Sequence, residues 1–255
     1  MNATLRQIAV PGGAMIVFLI LWELLVWANG WPNFVMASPS DLPPAYARYW
    51  ELFLTGGWQT LWRTVAGLLI AVVFGTLLGM VMGFSKLARE ALYPLLVGFN
   101  AIPKATVVPI LALLFVGQHD FNTVMLAFMI SFFPIAVSVS IGLSTLEPEY
   151  RDILRALGAS QATIFWKIAL PKTLPEFFGA LKVAVTLAFI GTNLMEIVSP
   201  HGRGLGALFD SGRTNADYPL MFAVLIALAV LGIALFYVVV ALEKIFAGWA
   251  ERSPG

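Results

Sequence analysis

Residues Thr60 to Gly83 read TLWRTVAGLLIAVVFGTLLGMVMG, and Phe84 extends the run. About 20 consecutive apolar residues are enough for a helix to cross the hydrocarbon core of a bilayer. This stretch meets that length with a single charge, Arg63, near its start. It predicts a membrane-spanning helix. Gly75-Thr-Leu-Leu-Gly79 and Gly79-Met-Val-Met-Gly83 are overlapping small-xxx-small repeats, which let helices approach closely in lipid. With Gly67 they predict tight packing inside one subunit.

The rest of the chain agrees. Apolar residues make up 60% of it and charged residues only 11%, with a mean hydropathy of +0.87. Too little polar surface remains to coat a soluble monomer, so the fold class is an all-α integral membrane protein. There is no cysteine, which excludes disulfides, thiolate metal sites and cysteine nucleophiles. A net charge of +1 lacks the basic stripe that nucleic acid requires. The first apolar run follows Arg6 and has no small-residue cleavage site behind it, so it reads as an uncleaved helix.

Six spans are predicted: Val10–Ala28, Thr60–Phe84, Leu92–Val116, Thr123–Leu143, Leu174–Val198 and Leu220–Ala247. Connecting segments on one side collect Arg6, Lys86, Arg89, Arg151, Arg155, Lys167, Lys172, Lys244 and Arg252; the other side collects Arg48, Arg63, Arg203 and Arg213. The richer side is expected to be cytoplasmic, with both termini. The chain divides into residues 1–59, a first helix and outer loop; residues 60–247, a core; and residues 248–255, a cytoplasmic tail. In the outer loop, a short interfacial helix is expected over Ala45–Leu54, with Tyr46, Tyr49 and Trp50 as headgroup anchors and a Gly56-Gly57 break behind it. A second outer loop, Ser199–Pro219, carries the glycine-spaced run HGRGLGALF. Its G-x-G-x-G follows no strand and is not a dinucleotide fingerprint.

One module interrupts the oil. Glu147 to Phe177 reads EPEYRDILRALGASQATIFWKIALPKTLPEF. Tyr150, Ile153, Leu154 and Leu157 fall at helical spacing, with Glu149, Arg151, Asp152 and Arg155 around them. Acidic residues sit at the amino end, where the helix dipole favours them. Gly158 is expected to stop this helix in a left-handed cap. Ser160 then caps a second short helix, Gln161 to Ala169, which Leu170-Pro171 should terminate. Thr173-Leu-Pro-Glu176 reads as a capping box for the next span. A helix this short is unstable alone, so something must cover its apolar stripe: either a packed protein partner or, as for an interfacial helix, the bilayer surface.

The spacing Gly158, nine residues, then Ile168-x-Leu170-Pro171 resembles the EAA loop of the permease subunits of binding-protein-dependent ABC importers. TLWRTVAGLLIAVVFGTLLGMVMG, NAIPKATVVPILALLFVG, LRALGAS and GLGALF are similar to the subgroup that handles nitrate, sulfonates and taurine. The resemblance implies a type I importer permease fold in the cytoplasmic membrane, with residues 147–173 as the coupling loop. It further implies ATPase subunits seated on Tyr150, Arg151, Asp152, Leu154, Arg155, Leu157, Gly158 and Ala159, an extracytoplasmic binding protein, and a second permease copy. The chain departs from the family at the Glu-Ala-Ala triplet, which is Asp152-Ile153-Leu154 here.

No G-x-x-x-x-G-K-[ST] loop occurs, so ATP and magnesium are expected on a partner and no catalytic site or cofactor in this chain. His119 and His201 stand apart in outer loops, which suits solvated residues better than metal ligands. Charges inside spans mark functional candidates, because burying them is costly. A polar passage is expected along Asn100, Lys104, Thr106, Thr192, Asn193 and Glu196, against the alternative of satisfied interhelical pairing. Pro103 and Pro109 are expected to break the third span. Lys182 is placed to reach the cytoplasmic interface. The rival function, an ion-gradient-driven transporter or channel, calls for carboxylates at the midplane, of which Glu23 is the central one.

Overall fold

A computed structural model describes residues 3–144, 153–199 and 203–249. Among these residues all regular structure is helical: α1 (Ala3–Asn29), a 3-10 turn at Pro39–Asp41, α2 (Leu42–Phe84), α3 (Lys86–Ala101), α4 (Lys104–Leu114), α5 (His119–Ser144), α6 (Gln161–Ile164), a π-helical turn (Phe165–Ala169), α7 (Leu170–Val198), α8 (Leu205–Thr214) and α9 (Tyr218–Phe246).

Among the described residues, four helical stretches are long and apolar enough to cross a membrane: Pro39–Phe84, His119–Ser144, Trp166–Val198 and Tyr218–Phe246. The predicted third span is instead two helices, α3 and α4, bent by 86°. Pro103 explains the bend. A residue before proline is pushed out of the helical region, and Ile102 is extended with ψ 125°. Pro109, also expected to break this span, lies inside α4. Counting the bent pair as one gives five spans among the described residues, and α1 (Ala3–Asn29), with its apolar stretch Gly13–Asn29, stands where the sixth is expected.

α2 and α5 run side by side, and α7 packs on α5 as well. The glycines of α2 make this possible. A Cβ at Gly67 would stand 2.6 Å from the Ala127 Cβ, at Gly75 2.8 Å from the Phe132 carbonyl, and at Gly79 2.6 Å from the Ala136 carbonyl. The small-residue stripe therefore seals one subunit's own core, around Ala71, Ile135, Ala136, Val139 and Ala184. Gly75→Leu is expected to lower stability by about 1–3 kcal/mol in thermal unfolding, as an overpacked core does. Gly98→Ala, where an added Cβ meets nothing within 4 Å, should be neutral or slightly stabilising.

Four further expectations are corrected. The Gly56-Gly57 break is absent, since α2 runs unbroken from Leu42, kinked only at Tyr49 (φ −115°, ψ 19°). A Cβ on Gly56 would lie 3.2 Å from the Gly204 backbone, so this glycine serves a close crossing. Tyr46 and Tyr49 are not headgroup anchors: Tyr46 donates to the Ala223 carbonyl at 2.7 Å and Tyr49 to Asp217 Oδ2 at 2.7 Å. Both hold the upper half of α2 to α9, which the sequence alone had no means to bring near. Leu170-Pro171 terminates nothing. The chain stays helical from α6 through the π turn into α7, with Pro171 in the first turn of α7, where its missing N–H costs little. Thr173 is likewise no cap, because its hydroxyl donates back to the Ala169 carbonyl at 2.8 Å.

Candidate functional site

The two ends of the bundle carry different chemistry. The C-terminus of α5 and the N-terminus of α7 meet at the end that bears residues 153–169. The N-terminus of α5, the C-terminus of α7 and α8 lie at the other.

At the first end, residues 153–156 form a helical turn. Gly158 closes it with φ +84°. The Gly158 N–H reaches the Arg155 carbonyl at 2.9 Å and the Ala159 N–H reaches the Leu154 carbonyl at 3.0 Å. These are the two bonds of a Schellman cap. Ser160 then caps α6, its Oγ accepting from the Thr163 N–H at 3.1 Å. Both caps stand where the sequence predicts them. Ile164 and Ala169 are buried and Ile168 packs against the core, so α6 and the π turn are anchored from beneath. In contrast, Ile153 is 57% exposed and Leu157 79%. Arg155 also belongs to this turn. Tyr150, Arg151 and Asp152 lie outside the described residues, as does His201.

The predicted passage residues separate into two groups. Asn100, Lys104 and Thr106 surround the α3–α4 bend. The Lys104 ammonium donates to the Phe99 carbonyl at 2.6 Å and lies 4.5 Å from the centre of the Phe99 ring. It thus caps the end of α3 across the break. Thr106 donates to the Pro103 carbonyl at 2.6 Å and is exposed, like Asn100. Thr192, Asn193 and Glu196 lie at the far end of α7. Thr192 bonds Thr64 at 3.0 Å, and Asn193 donates to the Phe189 carbonyl at 2.7 Å with its Oδ1 unpartnered. α4 does touch α7, through the apolar cluster of Val108, Leu111 and Met195.

Glu196 is 1% exposed and belongs to a clasp that sequence inspection missed. Its Oε2 accepts from Thr60 Oγ1 at 2.8 Å and from the Gly206 N–H at 3.1 Å; its Oε1 accepts from Arg63 Nη1 at 3.0 Å. The same Nη1 donates to the Arg203 carbonyl, and Arg63 Nε donates to Asp120 Oδ1 at 2.9 Å. The Leu205 N–H donates to Thr60 Oγ1 at 2.9 Å. α2, α5, α7 and the loop before α8 are thereby tied at one point. A Cβ on Gly204 would fall 2.2 Å from the Glu196 carboxyl carbon, and Gly204 has φ +136°. Gly204 and Gly206 accordingly shape a backbone wrap around a buried carboxylate. Arg63, counted above as an outer-loop charge, is a buried structural cation. The visible signal was a charge within one turn of two threonines inside an apolar run.

Other charges in the helices are also satisfied. Lys182 pairs with Glu243 at 2.6 Å, tying α7 to α9 instead of reaching for the interface. Glu23 accepts from the Ser40 N–H at 3.0 Å and the Ser40 hydroxyl at 2.9 Å. It closes the turn after α1, a local task unlike that of a midplane ion ligand.

A multi-pass helical bundle with a capped, apolar-studded turn at one end and a polar clasp at the other is the build of an integral membrane protein. The chain belongs to the family of binding-protein-dependent transport system inner membrane components, whose profile matches residues 71–248. It is similar to the formylaminopyrimidine transport permease protein ThiX of Halalkalibacterium halodurans, with 31% identity over 93% of this chain and 94% of that one. It is 25% identical to the taurine transport system permease protein TauC of Escherichia coli, covering 96% of this chain and 90% of that one. The fold matches a chain of the MetNI methionine ABC transporter in inward-facing conformations with a TM-score of 0.63, at 20% identity, over 78% of this chain and 98% of that one. The protein is the transmembrane permease subunit of an ABC importer of the nitrate, sulfonate and taurine type, resident in the inner membrane.

Proposed function

We propose that two copies of this chain form the pathway of the importer, driven by ATP hydrolysis on separate subunits that grip residues 151–159. The exposed pair Ile153 and Leu157 carries this proposal. Large apolar side chains on a capped, charged turn are left for a partner to cover, and the Schellman bonds fix their direction. Tyr150, Arg151, Asp152, Leu154, Arg155, Gly158 and Ala159 complete the grip, while Ile168, Leu170 and Pro171 join it to α7. ATP and magnesium bind on the partner, and an extracytoplasmic binding protein delivers the solute to the opposite end.

Orientation follows from charge. With Arg63 removed from the outer side, basic residues there fall from four to three, against nine on the side of the turn. The positive-inside rule then puts the turn and both termini in the cytoplasm. The solute is a small polar molecule, either an anion such as nitrate or a sulfonate, or a pyrimidine precursor. The relatives named for taurine and formylaminopyrimidine support both choices.

The test is reconstitution with a candidate ATPase and binding protein in proteoliposomes. Uptake should require all three components and stop when ATP hydrolysis is blocked; uptake without ATP would refute the proposal. On the pathway, Asn100, Lys104, Thr106, Thr192, Asn193 and Glu196 remain the candidates. Lys104→Met should reduce uptake about tenfold, the effect of about 1.4 kcal/mol at the α3–α4 bend. Unchanged uptake removes Lys104 from the pathway.

A further inference from the structure

At the end opposite the coupling turn, a cavity of about 540 Å³ opens between α2, the start of α5 and the loop before α8. Its volume suits a small ligand. Arg63, Asp120, Arg203, His119 and Gln118 line it. The Arg63 guanidinium is already committed to Glu196, Asp120 and the Arg203 carbonyl. What it leaves over is informative. Asp120 spends only Oδ1 on Arg63, its side chain is 60% exposed, and its Oδ2 has no hydrogen bond among the described residues. Arg203 is exposed and has no ion-pair partner among the described residues.

Opposite charges on flexible surface loops in one cavity would drift together and pair. These two form no ion pair with each other among the described residues. Asp120 is held to the buried Arg63 in the first turn of α5. The Arg203 backbone is pinned by Arg63 at its own carbonyl, by Thr60 at the Leu205 N–H and by Glu196 at the Gly206 N–H. A carboxylate held by Arg63 and a guanidinium carried on an anchored backbone therefore line one cavity, and no ion pair joins them among the described residues. Electrostatic complementarity selects a ligand with both signs of charge.

We infer that this cavity is an entry subsite for small dipolar solutes, with Asp120 receiving an amino or ammonium group and Arg203 receiving an oxyanion. Arg63 and Glu196 are positioning residues behind it. The inference rests on the permease function proposed above and narrows its solute class to molecules that carry both an amino group and an oxyanion.

The experiment uses the permease–ATPase complex in nanodiscs, without the binding protein. Equilibrium dialysis measures retention of 2-aminoethanesulfonate, ethanesulfonate and ethylamine. The two-headed probe should bind about tenfold or more tightly than either one-headed probe, one charged contact being worth about that factor. Asp120→Asn should reduce its retention to that of ethanesulfonate, and Arg203→Gln to that of ethylamine. Equal binding of all three probes, no retention of any, or full retention by the Arg203→Gln complex overturns the subsite. Arg203→Gln alone decides if Asp120→Asn fails to assemble, since the Arg203 side chain takes no part in the clasp. ATP-dependent uptake by the same complex, joined by its binding protein in proteoliposomes, separates the two failures. A complex that transports but ignores the probes loses only the subsite; one that takes up solute without ATP loses the permease function itself.

Discussion

Arg63→Met is expected to cost about 3–5 kcal/mol of stability. Removing one partner of a buried pair leaves the other charge stranded. Here that charge is Glu196, at 1% exposure, with Arg63 at 3%. Thermal unfolding of the detergent-purified protein reads the loss directly. Arg63→Met combined with Glu196→Gln should recover more than half of it, because a neutral amide can keep the Thr60 hydroxyl and the Gly206 N–H as neighbours without an uncompensated charge. Asp120→Asn should cost less than about 1 kcal/mol, since that carboxylate faces water. A single Arg63→Met variant as stable as the wild type would mean that the clasp contributes nothing.

Leu157→Asp should reduce ATPase association and uptake about thirtyfold or more while leaving the fold intact. An apolar anchor buried in a partner's groove is worth about 2 kcal/mol or more when truncated. A carboxylate adds a desolvation cost in the same place. Leu157 is 79% exposed in the isolated chain, and substitutions at such surface positions usually move stability by less than about 0.5 kcal/mol. Co-purification of the ATPase and uptake should therefore fall together at an unchanged melting temperature. A variant that retains its ATPase would show that the turn is held by some other surface, most simply the lipid headgroups.

Much of the end that bears Gly158 was legible because its signals are local. A glycine that adopts positive φ, a serine followed by a short helix and an apolar pair four residues apart each act within one or two turns. Gly158 and Ser160 accordingly stand in the roles their neighbours in sequence dictate. The proline signals at Leu170-Pro171 and at Thr173 were read against the structure. Pro171 falls where a helix begins to be tolerant of it, and the π turn before it absorbs the mismatch.

Sequence by itself determined that this chain is a membrane bundle, where its apolar helices run, and why α2 carries its glycines. Those follow from the cost of backbone and charge in lipid, which acts residue by residue. Only the tertiary structure decided the clasp, for Arg63 and Glu196 are 133 residues apart. It also decided that Tyr46 and Tyr49 bind α9, that Lys182 finds Glu243, and that Gly204 wraps a carboxylate. The reason is that hydrogen bonds and ion pairs have a reach of about 3 Å. Their partners are chosen by which helices pack together, and no spacing along the chain records that choice.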